Sequence, residues 1–360
     1  MVTILDPRTL LAVYRDARLE APSRTFMQLG GFASNVQNFT TQDIVFEKIT
    51  GRRRVAPFVH PTRTGVATWT RNGSRVETYR PAYIKPKDAV WAGEQFSRRS
   101  GDLLSDAPRT PEQNRDAEVA EVMAWHRAII ERRWEQMCAQ AHIYGKVLVE
   151  YEDGDDQLVD FGRASNLTVT KTSNYWTDTY DVVLEIEQMC DRMREAEFGG
   201  ACVRIDIGGS VWKKIRNNTK LKDLMDLNYK RSNVDIERGI VQVDRNSNVR
   251  FLGLLGEGIE LWLNQDFYED ANGNQVFFMR QGDVVFTGAD PGGVMAFGAI
   301  MDHEANLQAM SVYPKMWMQP DPSGIFIMTQ SAPLPIPVYP NRSARIANAV
   351  PVDDSNSPGL

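Results

Sequence analysis

Little in this 360-residue chain suits it to catalysis or to crossing a membrane. It holds four histidines and three cysteines, a small supply of groups for acid–base or metal chemistry. Cys138, Cys190 and Cys202 are odd in number, far apart and without a C-x-x-C spacing. That pattern predicts reduced thiols in a cytoplasmic setting, at three core positions. No window approaches the ~18 apolar residues of a membrane span. Asp6, Arg8, Arg15, Asp16 and Arg18 interrupt any apolar run that could act as a signal peptide. A basic excess is missing too. Against 41 Lys and Arg stand 47 Asp and Glu, a net charge of −6, which argues against a dedicated nucleic-acid binder.

What is present reads as an α+β chain. With 42% apolar and 24% charged residues the composition is that of a soluble globular protein, long enough for two domains or one domain with large insertions. Asp6-Pro7, followed by Leu10, Leu11 and Tyr14, predicts a short helix. Phe26 to Thr41, rich in Gly, Ser, Asn and Thr, is expected to be an extended arm rather than a packed element. A β-rich region follows from Ile44 to Val90. One hairpin is expected between Ile44-Val-Phe46 and Val55 to Val59. A second is expected between Val66 to Thr70 and Arg75 to Tyr79 about Asn72-Gly73, a type I′ turn sequence.

Thr110-Pro-Glu-Gln113 combines a threonine cap, a proline in the first turn and a capping-box glutamine. Apolar residues then recur at steps of three and four from Val119 to Ala141, and Gly145 supplies a stop. A helix from Pro111 to Ile143 would span ~50 Å. Lys146 to Glu150 and Gln157 to Phe161 predict a hairpin. From Ala164 to Ala299 helices and strands alternate, as in a separate α+β lobe. Its helices are expected over Val182 to Met193 and, capped by Ser210, from Val211 to Met225; Gly288 to Gly298 is expected to be a return crossing. The last twenty residues mix Pro, Asn, Ser and Asp and predict a mobile tail.

Motifs with chemical potential have plainer readings. Asp206-Ile-Gly-Gly-Ser210 opens a helix after a strand, as a phosphate cradle would. It lacks the Walker lysine and the third Rossmann glycine, and a tight capped turn explains it. Asp270-Ala-Asn-Gly-Asn274 begins like a calcium loop, but Gln275 and Gln281 stand where glycine and the bidentate glutamate are required. Cys138 and His142 lie four apart on a helix, and two ligands do not make a zinc site. Arg52-Arg53-Arg54 is the densest basic run; at a hairpin tip it is read either as salt bridges to an adjacent subunit or as a solvated turn.

Two blocks carry a resemblance: Pro81-Ala-Tyr-Ile-Lys-Pro-Lys87, and Tyr313-Pro-Lys-Met-Trp317 leading through Asp321-Pro322 to Gln330-Ser-Ala-Pro333. Together with Thr40-Thr41, Ile49-x-Gly51, Val59-x-Pro61, Gly73-Ser74, Gly145-Lys146 and Gly162-Arg163, their order and spacing resemble the lambda-type phage major capsid proteins, the gpE family. The resemblance implies a Hong Kong ninety-seven type capsid fold. On that template residues 1–43 form an N-terminal arm, 44–83 an extended loop, and 84–163 a peripheral domain with the spine helix at 111–143. An axial domain at 164–299, a peripheral return at 300–339 and a tail at 340–360 complete it.

The implied function is assembly rather than catalysis. The family builds icosahedral heads of hexamers and pentamers around double-stranded DNA, in the host cytoplasm, and a mildly acidic wall suits a DNA container. Expected partners are further copies of the chain, a separate scaffolding protein, a portal and a small decoration protein; no cofactor, metal or membrane is implied. Candidate intersubunit contacts are Arg52, Arg53, Arg54, Trp69, Asn72 and Gly73. The alternatives are the shell of a bacterial nanocompartment with the same fold and, from another class, an α+β enzyme.

Overall fold

The computed structural model describes residues 6–16, 24–41, 43–49, 74–93, 110–150, 156–231, 248–270 and 272–352. The chain opens with α1 (Pro7–Asp16), α2 (Thr25–Leu29), β1 (Val36–Asn38), β2 (Ile44–Ile49), β3 (Ser74–Tyr79) and β4 (Lys87–Trp91). The long helix α3 (Pro111–Tyr144), β5 (Lys146–Val149) and β6 (Gln157–Asp160) follow. Next come β7 (Thr168–Thr170), α4 (Val182–Glu195), β8 (Cys202–Ile207), α5 (Gly209–Ile215) and α6 (Thr219–Arg231). The rest is β: β9 (Val249–Leu255), β10 (Ile259–Asn264), β11 (Phe267–Glu269), β12 (Gln275–Phe277), β13 (Val284–Gly288) and β14 (Gly293–Phe297). The chain closes with β15 (Tyr313–Gln319), β16 (Gly324–Gln330), β17 (Pro333–Pro337) and β18 (Ser343–Ala347).

Helix α3 starts and stops where its local chemistry dictates. The Thr110 hydroxyl accepts from the Gln113 amide at 3.3 Å while the Gln113 side chain accepts from the Thr110 amide at 3.0 Å, satisfying two otherwise orphaned donors. At the other end Gly145 takes φ +67°, a left-handed conformation that suits glycine, and its N–H returns to the Ala141 carbonyl. The 34 residues span ~50 Å and link two cores. Val119 and Met123 pack with Leu10, Tyr14, Val312 and Ile327. From Met137 to Tyr144 every residue is buried, in a core shared with Phe26, Phe32, Phe161, Phe297 and Leu334.

A third core lies in the lobe. Its mixed sheet has the order β7-β18-β13-β8-β10-β9, and α4, α5 and α6 bury Ile186, Met189, Val211, Ile215 and Leu221 with it. Two three-stranded sheets, β1-β14-β17 and β15-β16-β4, tie the remaining segments together. Strand β17 carries Pro333, Pro335 and Pro337 and lies at a sheet edge, where missing N–H donors cost no ladder bond.

Several expectations are corrected. Phe26 to Thr41 is not an open arm: Phe26 and Phe32 are wholly buried, and β1 pairs in parallel with β14. The side chains of Phe26, Met27 and Phe32 outweigh the polar composition around them. Strand β2 pairs with β3, Ile44 opposite Tyr79 through Ile49 opposite Ser74, so the outer strands of the two expected hairpins join each other. The partners expected at 55–59 and 66–70 lie outside the described residues. The helix expected from Val211 to Met225 is two helices, because Asn218 turns inward to donate to the Tyr180 carbonyl and cap the Leu221 amide. Gly288 to Gly298 contains the buried strand β14. The tail assigned to 340–360 is wrong over its first half, since β18 is buried throughout and sits between β7 and β13.

Candidate assembly surfaces

The two sequence blocks, more than two hundred residues apart, lie side by side. Ile84 and Ser331 exchange backbone hydrogen bonds at 2.8 and 3.0 Å, and the Thr329 amide donates to the Pro86 carbonyl. From there β4 runs antiparallel to β16 as far as Trp91 opposite Gly324. The Tyr83 hydroxyl donates to Gln330 Oε1 at 2.6 Å and accepts from the Met301 amide. Gln330 Nε2 donates in turn to Asp302, whose carboxylate also takes the Lys315 ammonium at 3.3 Å. Those contacts with Gln330, Lys315 and the Glu304 amide hold the Asp302 pKa below the usual carboxylate range, against the opposing effect of partial burial. On the outer face Trp317 stacks on Phe326 with centroids 5.6 Å apart, and the Lys87 ammonium lies 4.4 Å from the Phe326 ring.

Under this junction the structure assembles a constellation that sequence spacing did not reveal. His126 on α3 has Nδ1 2.9 Å from the Thr329 hydroxyl and Nε2 2.9 Å from Asp88 Oδ2. Burial lowers the His126 pKa despite the Asp88 carboxylate; with the ring neutral, Nε2–H donates to Asp88 and Thr329 donates to Nδ1. A Thr–His–Asp row invites comparison with a hydrolase. Here both Thr329 and His126 are 0% exposed, and no nucleophile is presented. The row instead pins the spine helix to the β15-β16-β4 sheet. Replacing His126 with leucine should leave the Thr329 hydroxyl unpaired and cost about 1–3 kcal/mol, read as a lower urea midpoint at unchanged m.

The β2–β3 ribbon is fixed at its root. Ile44 is buried, the Tyr79 hydroxyl donates to the Asp160 carbonyl at 3.1 Å, and the Tyr79 and Phe161 rings meet edge to face at 6.0 Å. Arg80 pairs with Asp43 across the base at 3.3 Å. The six candidate contacts, Arg52, Arg53, Arg54, Trp69, Asn72 and Gly73, all lie outside the described residues. On the described surface, large apolar side chains stand open at Trp125 on α3 and Val36 on edge strand β1, 50% and 55% exposed.

The remaining motifs have structural occupants. At Asp206 to Ser210 the position a phosphate would take is filled from within: Gln281 Oε1 accepts from the Gly209 amide at 2.8 Å, and the Gln281 carbonyl accepts from Ser210 and Val211. A Cβ on Gly208 would lie 2.3 Å from that carbonyl oxygen. Asp270 Oδ1 accepts from the Asn272 and Asn274 amides, making a hairpin turn. His142 Nε2 lies 2.8 Å from the Thr287 hydroxyl, and no cluster of three metal-ligating side chains occurs among the described residues.

Comparison with known proteins then decides the family. Residues 7–348 match the family model described as phage major capsid protein E. The chain belongs to the phage major capsid protein E family. Its relatives include the P21 prophage-derived major head protein of Escherichia coli O6:H1 strain CFT073 and the major capsid protein of Enterobacteria phage P21. Each is 28% identical over 319 residues, covering 86% of this chain and 89% of the relative. Among solved structures, one attributed to the capsid protein of a prophage in Escherichia coli CFT073 superposes with a TM-score of 0.69. It is 21% identical, with 96% of this chain and 99% of that one covered. The fold is therefore the α+β capsid fold of the Hong Kong ninety-seven type. A major capsid protein is a structural subunit rather than an enzyme, and its work is self-assembly into a shell.

Proposed function

We propose that this capsid protein forms hexamers and pentamers that close an icosahedral head around double-stranded DNA, assembling in the host cytoplasm. In this reading a separate scaffolding protein, a portal and a small decoration protein complete the particle. Residues 44–83 are the extended loop, the peripheral domain carries α3 and is closed by 300–339, and the lobe at 164–299, enlarged by β18, is the axial domain. The carrying observation is the β2–β3 ribbon. Its two strands join none of the larger sheets among the described residues, and a two-stranded ribbon is marginal alone in water. A neighbouring subunit would complete it, and heterologous contacts of that kind close by symmetry.

The test is deletion of Arg52 to Arg54. Electron microscopy should show loss of closed shells, while far-UV circular dichroism and the thermal midpoint of the unassembled chain stay near wild type. Shell yield equal to wild type would remove the intersubunit role. Shells that form but exclude DNA in the presence of the packaging machinery would favour the nanocompartment reading.

A further inference from the structure

Two of the three cysteines meet inside the lobe. Cys190 projects from α4 and Cys202 opens β8; both lie in one apolar cluster, 4% and 5% exposed. The two side chains lie close enough to interact directly. Cys202 Sγ also lies within donating distance of the Arg204 carbonyl, at 3.5 Å. The pair lacks the four ligands of a structural zinc site. A cleft of about 240 Å³ reaches Cys190, lined also by Val183, Glu187, Leu221, Leu224 and Ile259. It is wide enough for a small peroxide. Cys138 differs, being fully buried in another core with Glu135 as its charged neighbour.

We propose that Cys190 and Cys202 form a reversible intramolecular disulfide when the folded chain meets a peroxide. The Cys190 thiolate attacks one peroxide oxygen; the O–O bond breaks, and with one proton the products are a sulfenic acid and water. The Cys202 sulfur then attacks the sulfenic sulfur and expels a second water. Two thiols lose two electrons, and one peroxide becomes two waters. The new bond ties α4 to β8 across eleven intervening residues. The Cys190 contact and burial hold the Cys202 thiol well above the usual range, so its attack on the sulfenic sulfur quickens as pH rises. The biological setting, a shell released from a reducing host, rests on the function proposed above; the chemistry does not.

The test uses the full chain, as shells or unassembled subunits, treated with dilute hydrogen peroxide at pH 7 and pH 9. Samples are alkylated and digested without reductant. The expected result is a loss of about 2 Da and a peptide pair joining Cys190 to Cys202, reversed by dithiothreitol, faster at pH 9, with Cys138 unlinked. The thermal midpoint should rise by several degrees on oxidation, and Cys190→Ser and Cys202→Ser should each lose that increment whatever their own midpoints. Sulfinic or sulfonic acid at Cys190 without a cross-link, linkage through Cys138 or between chains, or unchanged masses at pH 9 would each overturn the proposal.

Discussion

Ending the chain at Val338 is expected to abolish folding of the lobe. The deleted residues include β18, which pairs with β13 on one side and β7 on the other, so its loss strips the buried strand β13 of one of its two partners and separates β7 from the sheet. Bonds continue beyond the strand: the Trp176 amide donates to the Ala349 carbonyl at 2.8 Å and the Val350 amide to Gly282. Arg345 meets the buried Asp283 through Nε at 2.7 Å and Nη2 at 2.6 Å, and the Asn348 amide donates to the same carboxylate. Stripping the partner from one buried charge costs about 3–5 kcal/mol, a large part of the ~5–15 kcal/mol that holds a typical domain together. Exposure of Ile346's neighbours in the sheet adds to it. The truncated chain should be insoluble or lack a cooperative transition by circular dichroism. A chain ending at Val352 keeps all these bonds and is the control; a cooperative, soluble chain ending at Val338 would refute the argument.

This strand also marks the limit of what the sequence discloses. Ser343-Ala-Arg-Ile-Ala347 offers one strongly β-favouring residue between small ones, flanked by Pro, Asn and Ser, so local pattern gives a tail. Its burial comes from elements far away in the chain: β13 some sixty residues before it, β7 nearly one hundred and eighty before it, and the helices α3 and α4. The arm fails for the same reason: Phe26 and Phe32 are separated by a Gly-Gly turn, and only the far end of α3 and β14 shows why they are buried. Helix α3 was legible because its cap, period and stop are all local. The Tyr83–Lys87 junction was found through resemblance to a family. No spacing rule brings His126 to Asp88 and Thr329, which come from three elements.

Stability should fall as pH rises above about 6.5, and one carboxyl on the spine helix should account for it. Glu135 is 1% exposed and accepts the Phe26 and Met27 amides at 2.5 and 3.0 Å. Burial, helped by the nearby Asp266 carboxylate, raises its pKa from 4.5 to about 8, although those amides and Arg24 oppose the shift. Between those values the unfolded chain has lost the proton and the folded chain keeps it. Folding therefore weakens with rising pH by up to about 1.4 kcal/mol per pH unit, levelling off above about 8. Two turns along, His142 works in the opposite sense. Burial, with Arg163 and Arg204 nearby, lowers its pKa from 6.5 to about 3, so across that span the unfolded state binds the extra proton and stability increases with pH. The two slopes oppose each other between pH 4.5 and 6.5. Urea midpoints of the unassembled chain should rise up to about pH 4.5, stay level to about 6.5, and decline toward 8. Glu135→Gln, which still accepts one amide, should abolish the decline while leaving the acid limb in place. A decline of equal slope in that variant would assign the titration to another group.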